Sequence, residues 1–112
     1  MRQIKESDWK LLRQMASVAL ERFCREILET LERLLADDTK TYHQRYLAVY
    51  ELLQRRDKKL AEAFDNMRRS TAFYQLAHIY SQRLLRDEEF SRFSPETRSF
   101  VELLLGIGSH SS

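Results

Sequence analysis

Trp9, Leu12, Ala16, Leu20, Phe23, Ile27, Leu31 and Leu34 recur at intervals of three and four residues along the first third of the chain. A helix completes a turn in 3.6 residues, so this interval places all of them on one face. Ser7 and Asp8 supply the start, because a serine hydroxyl accepts from an orphan amide and a carboxylate suits the positive end of the helix dipole. The spacing predicts a first helix over 8–36. Its weak point is MASV at 15–18, where small and β-branched residues can host a kink or a break.

The polar run Asp37, Asp38, Thr39, Lys40 reads as a loop, and Thr41 with Gln44 fits a capping box that opens a second helix. Tyr42, Tyr46, Val49, Tyr50 and Leu53 form an apolar stripe whose phase continues at Leu60, Phe64 and Met67. Asp57 falls inside that stripe. A buried unpaired carboxylate is costly, so the stripe predicts a helix over 42–56, a break near Arg56, and a third helix over 58–66 capped by Asp57; the alternative is one unbroken helix with Asp57 at the margin of the stripe.

Ser70 or Thr71 can cap a fourth helix over 71–86, with Phe73, Leu76, Ala77, Tyr80 and Leu84 on one face and Ala72 and Ile79 widening it. Tyr74 and Leu85 lie on another side. So broad an apolar surface suits either the centre of a bundle or a helix shared with a second subunit. DEEF at 87–90 fits one short turn, and Ser94, Pro95 and Glu96 form a helix-start signature for a last helix over 95–105, stopped by Gly106. With two glycines, one proline and no strand alternation, the chain reads as all-α: one domain over 1–112, a small bundle of about five helices with short loops, and a flexible tail at 106–112.

The charge balance names no partner, since nineteen Lys and Arg against seventeen Asp and Glu leave +2, far from the excess of a dedicated nucleic-acid binder. Cys24 is the only cysteine, which excludes an internal disulfide and points to a reducing compartment. The charged start MRQIKESDWK lacks a secretory apolar core, and no stretch is apolar enough to span a membrane, so the chain reads as cytoplasmic.

Chemistry has few candidates. Cys24 lies in the apolar arc of Phe23, Leu20, Ile27 and Leu28, with no helix N-terminus beside it to favour a thiolate. His43 sits in a first helical turn, where the dipole disfavours a charged imidazole, and His78 falls on a polar side near Gln75 and Gln82. Neither is preceded by the Glu-x-x-His spacing of a di-iron bundle, and no HExxH, Walker loop, GxSxG or CxxC is present. The expectation is a protein that is no enzyme and uses no metal or cofactor.

Two constellations remain. Tyr42, Tyr46 and Tyr50 lie one helical turn apart, which suits a core margin, a partner surface, or, with Phe73, the lining of a small-ligand pocket. The stretch RRDKKLAEAFDNMRRS at 55–70 concentrates cations, but Lys58 precedes Glu62 and Asp65 precedes Arg69 by four residues, the spacing of helical ion pairs. The sequence thus supports first a helical interaction module, a homodimer or a binder of another protein, using Tyr42, Tyr46, Tyr50, Tyr74, Ile79 and Leu85. A nucleic-acid-associated regulator using Arg45, Arg55, Lys59, Arg68 and Arg69 is the alternative, and a ligand-binding bundle the third reading.

Overall fold

The structure is a computed structural model and describes residues 3–106. The helices are α1 (Glu6–Ala36), α2 (Tyr42–Phe64), α3 (Ala72–Ser81), α4 (Asp87–Phe90) and α5 (Pro95–Leu104), with a 3-10 turn over Arg69–Thr71. The fold is all-α, as expected, and the described residues include no strand. None of these helices is long and apolar enough to cross a membrane. The expected tail lies outside the described residues apart from Gly106, which follows α5 at φ 72°.

Two boundaries differ from the sequence reading, while α1 spans the expected first helix and runs unbroken through residues 15–18. Met15 and Ala19 are buried there, so the small residues permit close packing while every turn keeps its hydrogen bonds. α2 is likewise continuous across Asp57, and no separate helix over 58–66 forms. Its inward row is Ala48, Leu52, Arg56 and Ala63, one position away from the tyrosine stripe, with Val49 and Leu60 on the margin between the two. Asp57 is therefore exposed and carries no burial cost. Arg56 faces inward instead, its guanidinium 4.6 Å from the Phe23 ring centroid and its tip 3.3 Å from Glu26.

The second difference is α3, which stops at Ser81 rather than reaching residue 86. Arg83 takes the left-handed conformation at φ 61°, and Leu84 N–H donates back to the Ile79 carbonyl at 3.2 Å. This six-to-one bond is the usual helix-ending motif, with arginine where glycine is the common choice. The reversal buries Leu84 and Leu85.

α3 occupies the centre. Its Ala72, Phe73, Gln75, Leu76, Ala77 and Ile79 are all buried, which answers the breadth of its apolar surface from within one chain. Phe73 meets Phe100 of α5 edge-on at 4.7 Å, and Tyr80 stacks on Phe90 of α4 at 3.9 Å. Gln75 donates to the Asp65 carbonyl at 2.8 Å, tying α3 to the end of α2. Two of the expected caps are present: Gln44 N–H donates to Thr41 Oγ1 at 3.0 Å, and Thr97 N–H to Ser94 Oγ at 3.4 Å. Ser7 does not cap α1, which already begins at Glu6 after Lys5, and Thr71 precedes α3 without a side-chain cap.

α4 is anchored to α1 by a forked pair. Arg22 donates to both Glu89 carboxylate oxygens, at 2.7 and 2.9 Å, and to the Leu84 carbonyl at 2.9 Å. The Arg22 bonds and the Arg86 N–H hold the Glu89 carboxyl down at about 2, against an ordinary 4.5. Because the folded pKa is the lower one, this stabilisation is complete above pH 4.5 and is lost as pH falls towards 2. The side chains are 28% and 17% exposed, and with partial solvent screening the pair contributes about 2 kcal/mol. Urea midpoints measured through that acid window should fall steeply for the native chain and less for Glu89→Gln. Parallel curves would show that the fork contributes nothing to stability.

Candidate functional site

The end of α1 and the start of α2 leave the body formed by the other elements and pair as an antiparallel arm. Arg45 donates to the Leu35 carbonyl at 2.9 Å, and Arg56 reaches Glu26, which fixes the register between the two helices. The arm gives the molecule its long axis of 52 Å and a radius of gyration of 16.9 Å. A compact chain of this length has about 13 Å.

The arm is apolar yet unburied. No residue from Cys24 to Glu51 is buried. Ile27, Leu31 and Leu34 of α1 and Ala48 and Val49 of α2 are half-buried and mark the seam between the two helices. At about 100° per residue, Leu28 and Leu35 lie to one side of the α1 seam, and Tyr42, Tyr46, Tyr50 and Leu53 are displaced from the α2 seam in the same rotational sense. In an antiparallel pair, equal displacements come to the same side of the hairpin. The six therefore form one face, exposed by 59% and 60% on α1, and by 85%, 66%, 53% and 41% on α2.

The opposite side of the arm is mostly polar, with Glu26, Glu29 and Arg33 from α1 and Gln44, Glu51 and Arg55 from α2, Leu47 being the large apolar exception at 43% exposure. The apolar face has few polar attachments. The Arg45 guanidinium lies 4.7 Å from the Tyr42 ring centroid, and Gln54 donates to the Tyr50 hydroxyl at 2.9 Å. The phenol rings otherwise present their surface to solvent.

The structure brings together three of the six residues the sequence proposed as an interface, Tyr42, Tyr46 and Tyr50. Tyr74 is 58% exposed but sits on α3, beside a shallow groove with Asp65, Arg68 and His78. Ile79 and Leu85 are corrections: at 0% and 5% exposure they belong to the chain's own core. A helix drawn to residue 86 had left Leu85 on a free side, and the actual turn at Arg83 folds it inward. Leu28 and Leu35 were missed, because the row from Trp9 to Leu34 had assigned the apolar face of α1 to a neighbouring phase.

The cations are dispersed. Arg45 lies fourteen positions from Lys59 on α2, about 21 Å along the axis. Arg69 pairs with Glu6 rather than Asp65, since α2 has ended before the helical pairing can form. Arg55 and Lys59 are exposed together on α2, whereas Arg68 lies beyond its end. Tyr42 and Tyr46 do not join Phe73 in a pocket: they are exposed on the arm, and Phe73 is buried against Phe100.

An open hollow is bordered by Tyr80, Arg83, Leu85, Arg86 and Asp87. Burial and the neighbouring Asp87 push the Tyr80 phenol up from its ordinary value. The Ser81 hydroxyl beside it donates to the His78 carbonyl at 3.0 Å. Among the described residues no three His, Cys, Asp or Glu side chains are placed to hold a metal ion. No protein-family profile, curated protein or solved structure matches the chain.

Proposed function

We propose that this chain is a non-enzymatic helical interaction module that works as a homodimer, with the apolar face of the arm as its contact. The observation that carries the reading is the absence of any buried residue between Cys24 and Glu51, in a segment with this many leucines and tyrosines. Leu28, Leu35, Leu53 and the three tyrosines together offer on the order of 800 Å² of accessible surface, about what one partner brings to a standard interface. Tyrosine is favoured where a ring is covered and its hydroxyl stays wet.

A second copy suits this face because none of the six residues is charged, so a two-fold pairing opposes no like charges across its centre. A reducing, cytoplasmic setting agrees with the single thiol at Cys24. The nucleic-acid reading draws less support, because the cations it needs do not converge on one surface.

Light scattering after size exclusion should give twice the chain mass of 13.5 kDa. Leu28→Glu combined with Tyr46→Glu should give a monomer with unchanged circular dichroism, since both positions are exposed within one chain. A native chain that remains monomeric at high micromolar concentration would remove the reading.

A further inference from the structure

Building on that dimer, we infer that the two arms pack antiparallel as a four-helix bundle, the tip of each arm seated at the base of the other and the two bodies at opposite ends. The row that carries Tyr42, Tyr46, Tyr50 and Leu53 continues along α2 to Leu60 and Phe64, which pack against the core. The bare face thus begins where the body's cover ends. Within the arm, a partner's helices supply the layer that the body supplies below it.

Thickness decides the direction. Packed helix layers sit about 8–10 Å apart. The molecule is no thinner than 24 Å along any principal axis, while the arm is a single layer of two helices. Parallel arms at that layer spacing bring two bodies to the same end, where they compete for one volume. Antiparallel arms place each body beyond the other copy's tip.

Charge agrees with this direction. Asp57 borders the face at its base, level with Cys24, while Lys40 lies at the tip. A parallel pairing sets each Asp57 against its own copy, and an antiparallel pairing moves it towards Lys40. Full overlap of the two faces, which run from Tyr42 to Leu53 on α2, centres the two-fold axis at the level of Leu47 and Ala48. Tyr42 of one chain then lies level with Leu28 of the other, about one helical turn from Cys24.

Cysteine cross-linking tests the orientation. Cys24 is level with Asp57, so within one chain it stands fifteen positions along α2 from Tyr42, about 22 Å, too far for a short bismaleimide. Tyr42→Cys in the otherwise native chain should yield a covalent dimer. The native chain, and Tyr42→Cys combined with Cys24→Ser, should yield none. Covalent dimer from that double variant would mean that the tips meet, and would overturn the antiparallel packing. No cross-link in any variant, with light scattering still showing a dimer, overturns the orientation but leaves the dimer standing. A monomeric mass for the native chain overturns both.

Discussion

Replacing Asp8 by alanine should cost about 3 kcal/mol of folding stability, because hydrogen bonds to a charged acceptor contribute roughly 1.5–3 kcal/mol each and are not additive. Asp8 is 3% exposed on the first turn of α1. Its Oδ1 accepts from Ser94 N–H at 2.9 Å, and its Oδ2 from Ser94 Oγ at 2.5 Å and Thr97 Oγ1 at 2.6 Å. A single carboxylate thus holds the cap of α5 against α1, eighty-six residues away in the chain. Without it, the Ser94 N–H and the buried Thr97 hydroxyl lose their partner, and each unsatisfied group carries a desolvation cost.

Protonation should act in the same direction as the substitution. Burial raises the Asp8 pKa, but the bonds from Ser94 and Thr97, with Lys5 nearby, outweigh it and hold the group below its ordinary value. A depressed folded pKa gives stability that is present at neutral pH and lost as pH falls through the folded value. The measurement is a urea titration of native, Asp8→Ala, Thr97→Val and the double variant. Strong coupling between the two sites is the expected result. An Asp8→Ala loss within about 0.5 kcal/mol, the range of ordinary surface substitutions, would show that the cluster does not join α1 to α5.

Asp8 also shows where sequence reading stops. Its helix-start position was legible, and the dipole accounted for a carboxylate there, so nothing in the local pattern asked for a second role. Its partners lie on the last helix, and only the tertiary fold supplies them. Local chemistry was otherwise a good guide wherever a side chain bonds its own neighbours, as at Thr41 with Gln44 and at Ser94 with Thr97.

Phase was the harder quantity. On α2 the bulkiest residues, the tyrosines, suggested the inward face, but the structure turns Ala48, Leu52, Arg56 and Ala63 inward and leaves the rings outside. Size alone cannot tell a core stripe from an uncovered one. The misassigned phase made Asp57 look buried and produced a break that the helix does not have. It also concealed that Tyr42, Tyr46 and Tyr50 share a surface with Leu28 and Leu35. The turn at Arg83 was invisible for a different reason: an arginine in the left-handed region leaves none of the sequence signal that a glycine would.

Replacing Phe23 by alanine should have the largest effect, about 3–5 kcal/mol, the usual range for a buried phenylalanine. Phe23 is fully buried where the arm leaves the body. Its ring meets Phe64 edge-on at 6.0 Å, while Arg56 lies over it at 4.6 Å. The core residue, the end of α2 and the arm's inward cation therefore all depend on this ring. Arg56 gains from the ring and from Glu26 at once, so Arg56→Ala should lose less in a Phe23→Leu background than alone. A cation over an aromatic face is worth about 0.5–2 kcal/mol, which is the coupling a double-mutant cycle should recover. Hydrogen exchange adds a spatial readout. Loss of the ring should release amides of α2 around Arg56 to Ala63 before those of α3, which is held on its other side by α5 through Phe73 and Phe100. Equal release of the two would mean that this stretch of α2 and α3 unfold as one unit, and that Phe23 is an ordinary core residue rather than the joint between arm and body.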